Sequence, residues 1–148
     1  MLRRRLGGVK PSEEIRRIVE RWMQAISERD SESSLERVSD LPGALMIGTD
    51  PEEWFHGAEA RAIWARQLEE LDSFSVVGSE IEAWEEGTVG WASVKEKISW
   101  DDQEADARAT YVFHLERGEW KAVQIHWSMP RANVDLFGRK LTVSLETL

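Results

Sequence analysis

Cysteine is absent from this chain of 148 residues, which removes disulfides, thiolate metal sites and thiol nucleophiles at once. Histidine occurs three times, at His56, His114 and His126, and no two are spaced to share a helical metal site, so no metal is expected. Glycine-rich phosphate loops and the Gly-x-Ser-x-Gly nucleophile elbow are also missing, and no cofactor is called for. No apolar run approaches the roughly 18 residues of a membrane helix, and no apolar stretch of signal-peptide length follows Arg3, Arg4 and Arg5. A soluble, cytoplasmic protein that does not engage a membrane is the expectation. Positive charge is scarce as well, with 19 basic against 28 acidic residues and a net charge of −9. That balance repels phosphate backbones, so nucleic acid is not an expected partner.

What the chain does have is tryptophan, eight against four Phe and one Tyr. Indoles are large, rigid apolar bodies with a single N–H, suited to a core or to the wall of a hydrophobic cavity. The length fits one domain, able to bury roughly 70% of its unfolded surface.

Residues 1–11, with the three arginines and two glycines, read as a flexible tail. Ser12 then caps a helix whose Ile15, Ile18, Val19, Trp22, Met23 and Ile26 form a stripe of helical period, with Glu13 and Glu14 in the first turn. A short helical turn through Leu35 and Val38 ends at Asp40, Pro42 and Gly43. Residues 44–49 are predicted as a short strand. Asp50, Pro51 and Glu53 carry a helix-start signature: an N-cap, proline at the first position, and a glutamate reaching back. A second long helix begins near Ala58, where Ala60, Ile63, Trp64, Leu68 and Leu71 repeat the stripe and Gln67 interrupts it. Four strands follow at about 74–84, 89–100, 106–115 and 119–128, closed by Pro130. Residues 131–148 form a mixed extension. Helices first and strands afterwards predict an α+β domain over 12–130, a curved antiparallel sheet wrapped around N-terminal helices.

The last two strands make the most informative unit. A three-residue loop, Glu116, Arg117 and Gly118, spares Arg117 a positive φ and pairs Leu115 with Glu119. Phe113 then faces Lys121, Tyr111 faces Val123, Ala109 faces Ile125 and Ala107 faces Trp127. Those residues share one side, while Arg108 opposite His126, Thr110 opposite Gln124, Val112 opposite Ala122 and His114 opposite Trp120 share the other.

The element order, with Gly48-Thr49-Asp50-Pro51-Glu52-Glu53-Trp54 before the long helix and Trp120-Lys121-Ala122-Val123-Gln124-Ile125-His126-Trp127-Ser128-Met129-Pro130 at the last strand, resembles the SnoaL-like branch of the nuclear transport factor 2-like superfamily. The resemblance implies a cone-shaped α+β fold with a mouth between sheet and helices, and often a homodimer through the outer sheet face. The superfamily includes polyketide cyclases, ketosteroid isomerases, epoxide hydrolases and kinase association domains, so the fold alone names no activity. In the association domains charged groups stand where this chain has Tyr111 and Trp127, which implies a less polar cavity here.

Three readings of function follow. The first is a ligand-binding or sensory module holding a small, mostly apolar molecule against Trp54, Trp64, Tyr111, Phe113, Ile125 and Trp127. The second is an isomerase, cyclase or hydrolase, which needs a positioned base. Tyr111 would donate to a substrate oxygen and Glu96 would be that base if its set on the long strand, Ala92, Val94, Ile98 and Trp100, faces the cavity; otherwise Glu96 is solvated or lysine-paired, and Tyr111 a core aromatic. The inner hairpin face carries no carboxylate, which weighs against an enzyme. The third is an assembly domain without a ligand. Arg108, Gln124 and His126 are the candidate homodimer surface, and His126 beside Arg108 could alternatively hold an anion or simply be hydrogen-bonded.

Overall fold

The computed structural model describes residues 8–71 and 73–147, so Arg3, Arg4 and Arg5 lie outside the described residues. Lys10–Pro11 (β1) pairs with the fourth strand at Trp84 and Glu85, so the sheet begins inside the segment read as a tail. Ser12 follows as N-cap of Glu13–Ser27 (α1), its hydroxyl accepting the Ile15 N–H at 3.2 Å. Of the apolar stripe, Ile15, Val19, Trp22, Met23 and Ile26 are buried and Ile18 is half-buried, with Ala25 buried beside them. Ser31–Leu35 (α2) is the short helix, capped by Asp30.

Leu45–Ile47 (β2) and Trp54–His56 (β3) form a small antiparallel hairpin. The helix-start signature lies at its tip. Its reciprocal bonds form, with Asp50 N–H on Glu53 Oε1 at 2.8 Å and Glu52 N–H on Asp50 Oδ1 at 2.8 Å. No helix grows from them, because Gly48 N–H bonds Glu53 O at 3.0 Å and the next residues join β2. The long helix starts afterwards, at Gly57–Glu70 (α3), capped by His56 with no side-chain bond.

Phe74–Glu86 (β4), Val89–Trp100 (β5), Gln103–Glu116 (β6) and Glu119–Ser128 (β7) form the body of the sheet. The seven-stranded order is β1-β4-β5-β6-β7-β2-β3, with β2 running parallel to β7. Helices before a curved, unclosed sheet give an α+β cone. Asn133–Phe137 (α4) and a 3₁₀ turn at Leu145–Thr147 follow, and the extension stays outside the core: Val143 is 86% and Leu145 84% exposed.

The β6–β7 turn differs from the three-residue loop read from the sequence. Arg117 and Gly118 make a two-residue turn, with φ of 51° and 80°. Leu115 therefore faces Trp120 and Phe113 faces Ala122, which places both partners in the core at 4% exposure each. A bulge beside Val123 takes up one residue. Beyond it Tyr111 faces Ile125, Ala109 faces Trp127, Thr110 faces His126 and Arg108 faces Ser128. Burying Trp120 outweighs the left-handed arginine, since an indole is worth several kcal/mol of burial and the backbone strain about 1.

Candidate functional site

Strand alternation puts Ala92, Val94, Glu96 and Ile98 of β5 on the inner face, and Trp91, Ser93, Lys95 and Lys97 on the outer one. The outer lysines find acids on their own side: Lys95 pairs with Glu80 at 3.1 Å and Lys97 with Asp106 at 3.7 Å. Glu96 is left inside, 3% exposed and without a cationic partner among the described residues.

Above Glu96 the cone holds a cavity of about 400 Å³. Its floor and walls come from Glu96 and Ile98 of β5, Ala107 of β6 and Trp127 of β7, with Phe74 and Val76 of β4 to one side. Ala60, Trp64 and Gln67 of α3 close it from above, and Phe55 and Glu53 from the β2–β3 hairpin.

The Tyr111 hydroxyl donates to Glu96 Oε1 at 3.3 Å. Tyr111 pairs with Ala92 in register and Glu96 with Ala107, so the hydroxyl meets a side chain two inner-face positions further along β5. Glu96 Oε2 has no hydrogen-bond partner. Burial pushes the Glu96 carboxyl up to about 7, and the Tyr111 hydrogen bond only partly opposes this. Tyr111 itself is pushed well above the usual tyrosine range, first by burial and then by the charge and hydrogen bond of Glu96.

Three indoles stand beside this pair. Trp127 stacks on Trp22 at 5.4 Å and on Trp64 at 5.3 Å, and Trp22 meets Tyr111 edge-on at 5.4 Å. The Trp22 and Trp64 N–H groups are buried without a partner. Towards the mouth, Glu53 is fixed at both oxygens, taking Asp50 N–H on Oε1 and Gln67 Nε2 on Oε2 at 2.9 Å. The polar residue inside the α3 stripe thus holds a hairpin carboxylate over the cavity.

Of the residues read from the sequence as ligand-binding, Trp64 and Trp127 line the cavity. Tyr111, Phe113 and Ile125 lie below it in close-packed core, each no more than 2% exposed. Trp54 is on the outside at 59% exposure. It sits in a strand, not a helix start, and its neighbour Phe55 faces inward opposite the buried Met46. Phe55, Phe74 and Gln67 were not singled out from the sequence as lining; the polar break at Gln67 was the available signal. Arg108, Gln124 and His126 are exposed on the outer face. Among the described residues, no group of three or more His, Asp or Glu side chains is arranged to hold a metal ion. No helix of the described residues is long and apolar enough to cross a membrane.

No curated protein sequence matches this chain. Solved structures do. A nuclear transport factor 2-like protein of unknown function from Pseudomonas putida KT2440 superposes with a TM-score of 0.75 at 22% identity, over 91% of this chain and 99% of that one. A nuclear transport factor 2-like family protein from Streptomyces avermitilis, which carries a provisional dehydratase designation, gives 0.72 at 15% identity over 81% and 96%. A superfamily protein from Salmonella enterica serovar Typhimurium LT2 gives 0.71 at 15% over 82% and 92%. These likenesses carry the fold. The sequence profile of the SnoaL-like domain matches residues 15–132, and the chain belongs to that family of the nuclear transport factor 2-like superfamily.

Proposed function

We propose that the chain is a small-molecule-binding domain whose cavity takes a mostly apolar molecule with one polar group directed at Glu96. A nearly fully buried carboxyl in the wall of a cavity of about 400 Å³, with its Oε2 inaccessible and unpartnered among the described residues, carries this reading. A buried polar oxygen left unpaired costs about 1–3 kcal/mol, and a ligand that pairs it recovers part of that cost. The volume suits a small organic molecule, and the walls are chiefly aromatic and aliphatic.

One observation favours a second reading, acid–base catalysis on the bound molecule. A carboxyl pushed up to about 7 is divided between acid and base near neutral pH, the condition in which proton transfer is most effective. Tyr111 is committed to Glu96, so in this reading it positions the base and does not donate to a substrate oxygen.

A homodimer through the outer sheet face, in a cytoplasmic setting, completes the proposal. Arg108, Gln124 and His126 lie on that face, and Trp84, Trp91 and Val112 form a row across it, opposite one another in register. Sedimentation of the full chain against Trp84→Lys should then show dimer becoming monomer.

Tryptophan fluorescence tests the cavity, since two of its indoles line it. Hydrophobic small molecules should quench the intact chain saturably, and Ala107→Leu, which fills the space above Glu96, should abolish the quenching while the fold is kept. Saturable quenching that survives Ala107→Leu unchanged would overturn the assignment.

A further inference from the structure

The charge lining the cavity is of one sign. Among the described residues its ionisable lining is Glu53, Glu70 and Glu96, all acids, with no lysine, arginine or histidine. Glu70 turns outward to Arg66 at 3.2 Å, and Glu53 is held at both oxygens, so neither needs a ligand. Glu96 differs, with one oxygen bonded to Tyr111 and the other unpaired inside the cavity wall. The same cavity is lined by four aromatic side chains, Phe55, Trp64, Phe74 and Trp127.

Resting on the reading of the cavity as a ligand site, we propose that its ligand is an organic cation, a lipophilic amine whose ammonium group pairs with Glu96 Oε2 among the aromatic rings. An anion would meet three acids and no basic side chain among the described lining residues, with only neutral donors such as Thr49, Gln67 and the Trp64 N–H to receive it. A neutral molecule could hydrogen-bond Oε2 but would gain nothing from the rings' attraction for positive charge. An ammonium gains from both, and its N–H donors satisfy the unpaired oxygen. The net charge of −9 favours the approach of cations as well. Burying the new charge is the opposing effect. It is met by the Glu96 carboxylate, which a bound cation favours over the protonated form that burial alone promotes.

The test compares three ligands of one shape on the full chain by calorimetric titration: 1-naphthylmethylamine, 1-naphthalenemethanol and 1-naphthoate. The amine should bind at least about tenfold more tightly than the alcohol, with the carboxylate weakest, and Glu96→Gln should bring the amine down to the alcohol's level without weakening the alcohol. Alcohol or carboxylate binding as tight as the amine overturns the cation and leaves a ligand cavity standing. Failure of all three to bind overturns both. The ranking on the unaltered chain decides the matter even where Glu96→Gln does not fold.

Discussion

Two ends of the same inner sheet face are built differently. At one end α1 lies directly on the sheet. Gly90 of β5 lets Ile15 approach so closely that any side chain there would collide with it, and Ile15, Ala92, Phe113 and Trp120 are all nearly inaccessible. At the other end α3 stands over Ile98, Ala107 and Trp127, and space is left between them. The two helices are almost equal in length, yet α1 buries six residues and α3 three, Gly57, Ala60 and Leu68. The difference shows that a cavity needs no special element. Small residues facing a helix close the cone where the helix supplies a matching knob, and open it where it does not.

Matched truncations should expose that contrast most strongly. Phe113→Ala, in the closed end, is expected to cost about 3–5 kcal/mol, whereas Phe74→Ala, on a cavity already open, should cost at most about half as much. Urea midpoints at one pH measure both, and equal losses would erase the distinction between the ends.

A smaller effect should follow pH. Glu96 titrates at about 7 in the folded chain, above the usual 4.5 that the unfolded chain retains. The folded state therefore holds this proton more tightly. Its stabilising contribution is complete below about 4.5 and disappears as pH rises through 7, a loss of about 3 kcal/mol. Glu96→Gln cannot titrate, so the unaltered chain should lose stability relative to this variant between pH 5 and pH 8.5. A constant difference between the two would place Glu96 in water.

Trp54→Ala should have the smallest effect. Its ring is outside, so stability should change by no more than about 0.5 kcal/mol and ligand-induced quenching should persist. Loss of quenching would bring Trp54, on the outer side of the β2–β3 hairpin, into the site by a route the geometry lacks.

Much of the fold was legible from periodicity. Ser12 and the stripe from Ile15 to Ile26 gave α1, and alternation gave the four long strands to within a few residues. The turn at Arg117 was not legible, because local preference argues against a left-handed arginine and only the burial of Trp120 and Ala122 overrides it. Asp50 and Glu53 misled for a related reason: their hydrogen bonds are local and do form, but whether a helix follows depends on β2, which claims the next residues as a strand. Trp54 went with that error. Gln67 and Glu53, fourteen residues apart, meet through the packing of α3 over the hairpin, which no local pattern encodes.

The sequence by itself determined that Ala92, Val94, Glu96 and Ile98 share one face of a strand, since side chains alternate whatever the strand packs against. It equally determined that an inner hairpin face carrying Tyr111 and Trp127 brings no carboxylate of its own. Tertiary structure alone decided that the face with Glu96 turns inward, where a neighbouring strand supplies the carboxylate the hairpin lacks and Tyr111 bonds to it. The physical reason is that desolvation and empty volume depend on how elements pack over one another, and neither is written in the period of any single element.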